Sequence, residues 1–79
     1  MPSPTRTPQY QDFLIRLRTA RKRARLTQSE VALRLKKPQS YVSKCESGER
    51  RIDATEVVAF ADLYGVSVEE LVRGPLLGA

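Results

Sequence analysis

Apolar side chains recur at helical spacing along most of the chain. The first such series has intervals of one, three and four residues, and it comprises Tyr10, Phe13, Leu14, Leu17, Ala20 and Ala24. Because residues spaced in this way share one face of a helix, the series predicts a first helix over about residues 9–25. The Pro-, Ser- and Thr-rich residues 1–9 show no such pattern and are expected to form a disordered N-terminal arm.

Three later helices are expected to begin at capping boxes, in which Ser, Thr or Asp is followed three residues later by Glu. The boxes occupy residues 27–30, 53–56 and 67–70. Apolar residues flank each box at the positions of a hydrophobic staple, and the pairs are Leu26 and Val31, Ile52 and Val57, and Val66 and Leu71. These signals predict helix starts near residues 28, 54 and 68.

Proline and glycine mark the remaining boundaries. Pro38 disfavours helical geometry at the residue before it, so the second helix is expected to span about residues 28–35. A third helix is predicted from residue 38 or 39 to about 46, a fourth over 54–64 and a fifth over 68–73, each ending close to a glycine.

The whole pattern predicts an all-α fold. It consists of a compact five-helix domain over residues 10–73 and a short C-terminal tail over residues 74–79. No hairpin signal and no internal repeat accompanies the helices.

The composition argues against several classes of function. The chain has no histidine and one cysteine, which removes His-based acid–base chemistry, Cys–His nucleophile pairs and the common zinc ligand sets. Its four glycines form no phosphate-binding loop. We therefore expect no enzymatic activity, no metal and no cofactor.

The location expected from the sequence is cytoplasmic. The longest apolar run, residues 57–61, is far shorter than the roughly 20 residues of a transmembrane helix. Prolines at positions 2, 4 and 8 interrupt the region where a signal peptide needs an apolar stretch. A single cysteine allows no intrachain disulfide, which fits a reducing compartment.

Charge is distributed unevenly along the chain. Residues 1–51 carry a net charge of +9 and residues 52–79 a net charge of −4, within the overall +5. The densest basic stretch contains Arg16, Arg18, Arg21, Lys22, Arg23 and Arg25. Such a run is either a solvated helix surface or a polyanion-binding face whose affinity comes from counterion release, and charge alone leaves both interpretations open.

The predicted third helix has few apolar side chains that could be buried in a core. Val42 and Cys45 are its obvious buried positions, while the rest of its surface is polar and includes serines, which are poorer helix formers than Glu or Lys. This composition fits either a plain polar helix or a contact surface. The short helix and tight break before it, with small Ala32 at the expected crossing, favour a helix-turn-helix, whose second helix enters the DNA major groove.

Three segments resemble the Xre/Cro-type helix-turn-helix regulators, a family that includes the lambdoid phage repressors. They are residues 26–32 (LTQSEVA), 38–50 (PQSYVSKCESGER) and 64–67 (YGVS). The resemblance covers about residues 10–73 and implies a lambda-repressor-like five-helix domain that binds double-stranded DNA. It further implies a transcription regulator, here expected to be a repressor of prokaryotic or phage origin that binds a palindromic operator as a homodimer.

The resemblance also implies roles for individual residues. The positions that match base-reading residues are Gln39, Ser40, Ser43 and Lys44. The positions expected to contact the DNA backbone are Gln28, Tyr41, Ser47, Arg50 and Arg51. Arg21 and Glu46 match a partly buried ion pair that is structural and does not contact DNA.

Two positions depart from the family pattern. Lys36 stands where the turn usually has glycine, so this turn either holds a non-glycine residue in left-handed geometry or has another conformation. Cys45 stands where the core usually has Ile or Leu, and we interpret it as a small buried hydrophobe, in preference to a redox switch.

The last part of the chain has more apolar side chains than a short helix can bury. Some of these are expected to form an isologous dimer contact, and the candidates are Val66, Val68, Leu71, Val72, Leu76 and Leu77. Control of such a regulator would come through concentration, dimerisation or a partner protein. The alternative function is that of an antitoxin-like protein, which neutralises a partner protein and regulates its own operon.

Overall fold

The structure, a computed structural model, describes residues 7–74. In this range it has no strands, and its helices are α1 (Pro8–Arg23), α2 (Gln28–Leu35), α3 (Gln39–Ser47), α4 (Ala54–Tyr64) and α5 (Val68–Arg73). The predicted all-α, five-helix fold is therefore confirmed.

The helix starts at residues 28, 54 and 68 are fixed by the predicted capping boxes. In each box the side chain of Thr27, Asp53 or Ser67 accepts a hydrogen bond from the backbone N–H of the glutamate three residues later. That glutamate accepts a hydrogen bond from the N-cap N–H in return. Both contacts satisfy N–H groups that have no partner within the helix, which is why these starts can be found from sequence.

The start of α1 corrects the expectation of a disordered arm up to residue 9. Thr7 is the N-cap, and its hydroxyl oxygen accepts a hydrogen bond from the Tyr10 N–H at 3.2 Å. Pro8 is the first helical residue, where its missing N–H costs nothing and its fixed φ favours the helix. The arm therefore cannot include residues 7–9, and residues 1–6 lie outside the described range.

The end of α1 comes two residues earlier than predicted. Arg25 adopts a left-handed conformation with φ of 62°, and the Leu26 N–H donates to the Arg21 carbonyl oxygen at 3.2 Å. This is a Schellman-type ending, which usually has glycine at the left-handed position. Because arginine occupies that position, the sequence contained no stop signal.

The core includes side chains from all five helices. α1 packs against α3, α4 and α5, and α2 packs mainly against α3. The largest fully buried side chains are Leu14, Leu17, Val31, Val42, Cys45, Phe60 and Leu71. Because every helix contributes at least one of them, removal of apolar surface from water couples the five helices into one unit.

Arg16 joins α1 to the end of α5. Its Nε donates to the Leu71 carbonyl oxygen at 2.7 Å, and a terminal guanidinium nitrogen donates to the Val72 carbonyl oxygen at 2.6 Å. Carbonyl groups in the last turn of a helix have no partner within that helix, and a cation also interacts favourably with the negative end of the helix dipole. Arg16 therefore has a structural role, which the charge pattern did not reveal.

Candidate nucleic-acid interface

The turn between α2 and α3 uses the left-handed geometry that the sequence left open. Lys36 has φ of 58° and ψ of 45°. The N–H of Lys37 donates to the Ala32 carbonyl oxygen at 2.9 Å, and that of Lys36 to the Leu33 carbonyl oxygen at 3.2 Å. The turn that glycine usually permits is thus formed by lysine, at some cost in backbone strain.

α3 has one buried and one exposed side. Val42 and Cys45 are fully buried, and Glu46 is 3% exposed. The predicted base-reading residues are all exposed on the same helix, and they are Gln39, Ser40, Ser43 and Lys44. The buried side chains fix the rotation of α3 in the domain, so the four polar residues point away from the core.

Two of these polar residues have protein partners. Ser29, in the first turn of α2, donates its hydroxyl to Gln39 Oε1 at 2.9 Å. Lys44 Nζ lies 3.8 Å from a Glu49 carboxylate oxygen, and both side chains are more than half exposed, so this pair contributes little stability. The position of Ser29 inside a capping box gives it a local role, so its contact with Gln39 has no signal in the sequence.

Gln28 does not have the free orientation expected of a phosphate ligand. Its Nε2 donates to Glu46 Oε1 at 2.9 Å, and the residue is half-buried. In this structure Gln28 therefore belongs to the junction between α2 and α3. A contact with phosphate would have to replace or share the bond with Glu46.

The ion pair expected between Arg21 and Glu46 is present. Arg21 Nε donates to Glu46 Oε2 at 2.6 Å, and a terminal nitrogen donates to Oε1 at 3.2 Å. Arg21 also donates to the Leu26 carbonyl oxygen at 2.9 Å. The hydrogen bond to Glu46 raises the pKa of Arg21, against the opposing effect of burial. Removing either partner would strand a buried charge, so the pair holds α1 against α3.

The basic run from Arg16 to Arg25 is only partly available to a polyanion. Arg16 binds α5, Arg21 binds Glu46, and Arg18 donates to the Glu46 carbonyl oxygen at 3.3 Å. Arg18 nevertheless remains exposed, as are Lys22, Arg23 and Arg25. Arg16 and Arg21 are therefore committed to contacts within the domain, and the interpretation of the run as one polyanion-binding face does not extend to these two side chains.

Tyr41, Arg50 and Glu56 form a cluster where α3, the following loop and α4 meet. The Tyr41 hydroxyl donates to Glu56 Oε2 at 2.7 Å. Arg50 donates to Glu56 Oε1 at 2.9 Å, lies 2.8 Å from Oε2, and places its guanidinium carbon 4.9 Å from the Tyr41 ring centroid. We call these three residues the Glu56 cluster. The DNA-backbone contacts expected of Tyr41 and Arg50 did not take account of Glu56, which binds both side chains.

The Glu56 cluster is anchored to the core and keeps its carboxylate ionised. The Tyr41 ring stacks on the fully buried Phe60, with centroids 6.4 Å apart and an interplanar angle of 11°. Burial alone would raise the pKa of Glu56, but hydrogen bonds from Arg50, the Asp53 N–H and Tyr41 outweigh it and lower that pKa to about 2. Burial, with the bond to Glu56, raises the pKa of the Tyr41 hydroxyl.

The end of α3 and the loop after it place the two remaining backbone candidates, Ser47 and Arg51, at the surface. Ser47 donates its hydroxyl to the Lys44 carbonyl oxygen and accepts from the Glu49 N–H, each at 3.2 Å, so it caps the end of α3. The Arg51 guanidinium carbon lies 5.4 Å from the Tyr10 ring centroid. The Tyr10 hydroxyl accepts a hydrogen bond from the Ile52 N–H at 2.9 Å, which fixes the loop against α1.

The predicted dimer residues fall into three groups. Leu71 is 2% exposed and belongs to the core of the domain, so its assignment to a dimer contact is wrong. Val66 is half-buried against the same core, whereas Val68 and Val72 are exposed. Leu76 and Leu77 lie outside the described residues. The staple position of Leu71 after the third capping box was the signal that could have assigned it to the core.

The part of the chain from residue 7 to residue 74 has no cluster of three or more His, Cys, Asp or Glu residues able to hold a metal ion. Over the same residues, no helix combines the length and the hydropathy that crossing a membrane requires.

The fold and this surface together define a class of protein: an all-helical domain in which α2, a tight turn and α3 form a helix-turn-helix. A family model described as a helix-turn-helix domain matches residues 12–73, and the chain belongs to this family. The match is consistent with a DNA-binding domain of the Xre type, and it indicates DNA binding and a role in the regulation of transcription. Neither a comparison with curated proteins nor one with solved structures gave a match.

Proposed function

We propose that this protein is a sequence-specific repressor of transcription that inserts α3 into the major groove of double-stranded DNA. The observation that carries the proposal is the exposed row of Gln39, Ser40, Ser43 and Lys44 on a helix whose other side is locked into the core. Gln can make two hydrogen bonds to adenine, Lys can reach guanine, and Ser can pair with either. Short serine side chains also permit close approach of the helix to the base edges.

The backbone contacts in this proposal come from the last residue of α3 and from the loop that follows it. Ser47, Arg50 and Arg51 lie at the surface next to the exposed end of the proposed reading helix. Phosphate contacts fix the register of a protein on the duplex but carry no sequence information. In this proposal Arg50 and Arg51 supply salt-dependent affinity, and α3 supplies discrimination.

The proposed active form is a homodimer on a palindromic operator. One reading helix of this length contacts only a few base pairs, and a two-fold pair of half-sites is the usual way to extend the site. Val68 and Val72 are exposed on α5, which belongs to the acidic part of the chain. An interface there would keep both basic surfaces free for DNA.

Selection of binding sites from random double-stranded DNA tests the proposal. We expect enrichment of one palindromic motif, with half-site centres about 10–11 base pairs apart or a multiple of that spacing. Analytical ultracentrifugation of the protein on the selected duplex should then give two protomers per site, and Val72→Asp should lower that stoichiometry or the affinity. No enrichment at moderate salt would contradict the proposal. A tight complex with a co-purifying small protein would favour the antitoxin-like alternative.

A further inference from the structure

Glu56 has contacts that its place in a capping box does not explain. Like Glu30 and Glu70, it is the last residue of a capping box and accepts a hydrogen bond from the N-cap N–H. The contacts of Glu56 also include the Tyr41 hydroxyl from α3 and the Arg50 guanidinium from the loop. The carboxylate therefore serves a second purpose beyond starting α4.

Resting on the proposed function, we propose that Glu56 competes with DNA phosphate for Arg50 and thereby limits the affinity of the interface for DNA of any sequence. An arginine guanidinium binds carboxylate and phosphate with the same donor groups and in the same planar geometry. In the free protein the two Glu56 carboxylate oxygens lie 2.8–2.9 Å from a terminal guanidinium nitrogen of Arg50. A phosphate that approaches Arg50 must displace this carboxylate or share the guanidinium with it.

The charge and rigidity of the Glu56 cluster favour competition over a passive surface pair. The Glu56 side chain is 16% exposed, and it is also held by the Asp53 N–H and the Tyr41 hydroxyl. It therefore stays in place when Arg50 moves, and its negative charge remains beside the phosphate. Arg50 is 43% exposed and has the freedom to turn toward DNA.

This arrangement affects non-specific binding most. Phosphate contacts strengthen binding to every sequence alike, whereas base contacts on α3 strengthen binding only to the operator. Pairing of the Arg50 charge with Glu56 weakens the phosphate contacts and leaves the base contacts of α3 unchanged. Glu56 would thus leave discrimination to Gln39, Ser40, Ser43 and Lys44.

The test compares Glu56→Gln with Glu70→Gln in the full chain. Both changes remove one negative charge, and both keep a capping box, because Gln is as acceptable as Glu at that position. Only Glu56→Gln removes the negative charge that pairs with Arg50. Binding is measured by fluorescence anisotropy on the selected operator duplex and on a scrambled duplex over a series of salt concentrations, and far-ultraviolet circular dichroism with thermal melting confirms that each variant is folded.

We expect Glu56→Gln to bind both duplexes about fivefold more tightly near physiological salt, with the slope of log K against log salt steeper by about 0.9, as for one added phosphate contact. The ratio of operator to scrambled affinity should stay unchanged, and Glu70→Gln should remain within about twofold of the unmodified protein. The double variant Glu56→Gln with Arg50→Ala should lose the gain.

Affinity of Glu56→Gln no greater than that of Glu70→Gln, or a gain that survives in the double variant, would overturn the proposal. The scrambled duplex distinguishes failure of this proposal from failure of the proposed function. If the unmodified protein binds both duplexes equally, sequence-specific recognition fails, while the effect of Glu56 on phosphate binding is still measured.

Discussion

Individual side chains on α3 determine what the domain can read. Gln39 is exposed and is held by Ser29 through a hydrogen bond at 2.9 Å to its carbonyl oxygen. That contact limits the rotamers of Gln39 before DNA binds and reduces the entropy lost when its amide pairs with a base. The Lys44 ammonium lies 3.8 Å from a Glu49 carboxylate oxygen, and this exposed pair restrains the Lys44 side chain little.

We expect Gln39→Ala and Lys44→Ala each to cost about 1–3 kcal/mol of operator binding and to relax the preference at one base position. The measurement is competition by duplexes that carry each single base change in turn. Thr19→Ala, at an exposed position of α1, is the control and should leave the preference profile unchanged. Unaltered profiles for both α3 variants would mean that this face does not read bases.

Two tyrosine hydroxyls allow a matched test of stability. Tyr64 is buried, and its hydroxyl has no hydrogen-bond partner among the described residues. A buried polar group without a partner costs about 1–3 kcal/mol, so Tyr64→Phe should raise the free energy of unfolding by about 1 kcal/mol.

The control is Tyr10→Phe, which removes the acceptor of the Ile52 N–H and should lower the free energy of unfolding by about 1 kcal/mol. Urea unfolding followed by circular dichroism gives both values. A loss of stability in Tyr64→Phe would mean that its hydroxyl has a partner in solution.

At the scale of helices and turns, some helix boundaries could be predicted from the sequence and others could not. The starts of α2, α4 and α5 were found because each capping box uses a local exchange of hydrogen bonds that depends on residue type. The end of α1 was not found, since Arg25 takes a left-handed conformation without glycine. A non-glycine residue in this conformation costs free energy, so local propensity gives no reason to expect a helix end at this position.

Lys36→Gly is expected to stabilise the domain, because glycine removes the Cβ strain at φ of 58°. The gain should be about 1 kcal/mol, less the greater freedom of glycine in the unfolded chain. Thermal unfolding measures it, with Lys36→Ala as the control that removes the same charge and keeps the Cβ atom. Equal melting temperatures for the Gly and Ala variants would contradict a left-handed turn at this position.

At the scale of the whole molecule, acidic groups link stability to pH. The pKa of Glu56 is lowered to about 2 by hydrogen bonds that overcome the effect of burial. The pKa of Asp53 is also lowered, by the backbone N–H of Glu56, and that of Glu30 by the backbone N–H of Thr27. A carboxylate with a lowered pKa in the folded state stabilises that state above its unfolded pKa, and the stabilisation is lost as it becomes protonated.

We therefore expect the free energy of unfolding to be constant near neutral pH and to fall as pH decreases from about 4.5 toward 2, where Glu56 is protonated. Urea unfolding at a series of pH values measures this decrease. In Glu56→Gln the decrease should be smaller, since one of the linked groups has been removed. The same pH dependence in both proteins would show that Glu56 is not held as described.

The sequence by itself determined the helical class, the order of the five helices, three of their starting points and the polar character of α3. These features depend on periodicity and on hydrogen bonds between residues close in the chain. The tertiary structure alone decided which polar and charged groups meet: Arg16 with the carbonyl groups at the end of α5, Gln28 with Glu46, and Arg50 with Glu56. It also placed Leu71 in the core. Such contacts join residues far apart in the chain, and no local pattern specifies which distant partner a side chain will meet.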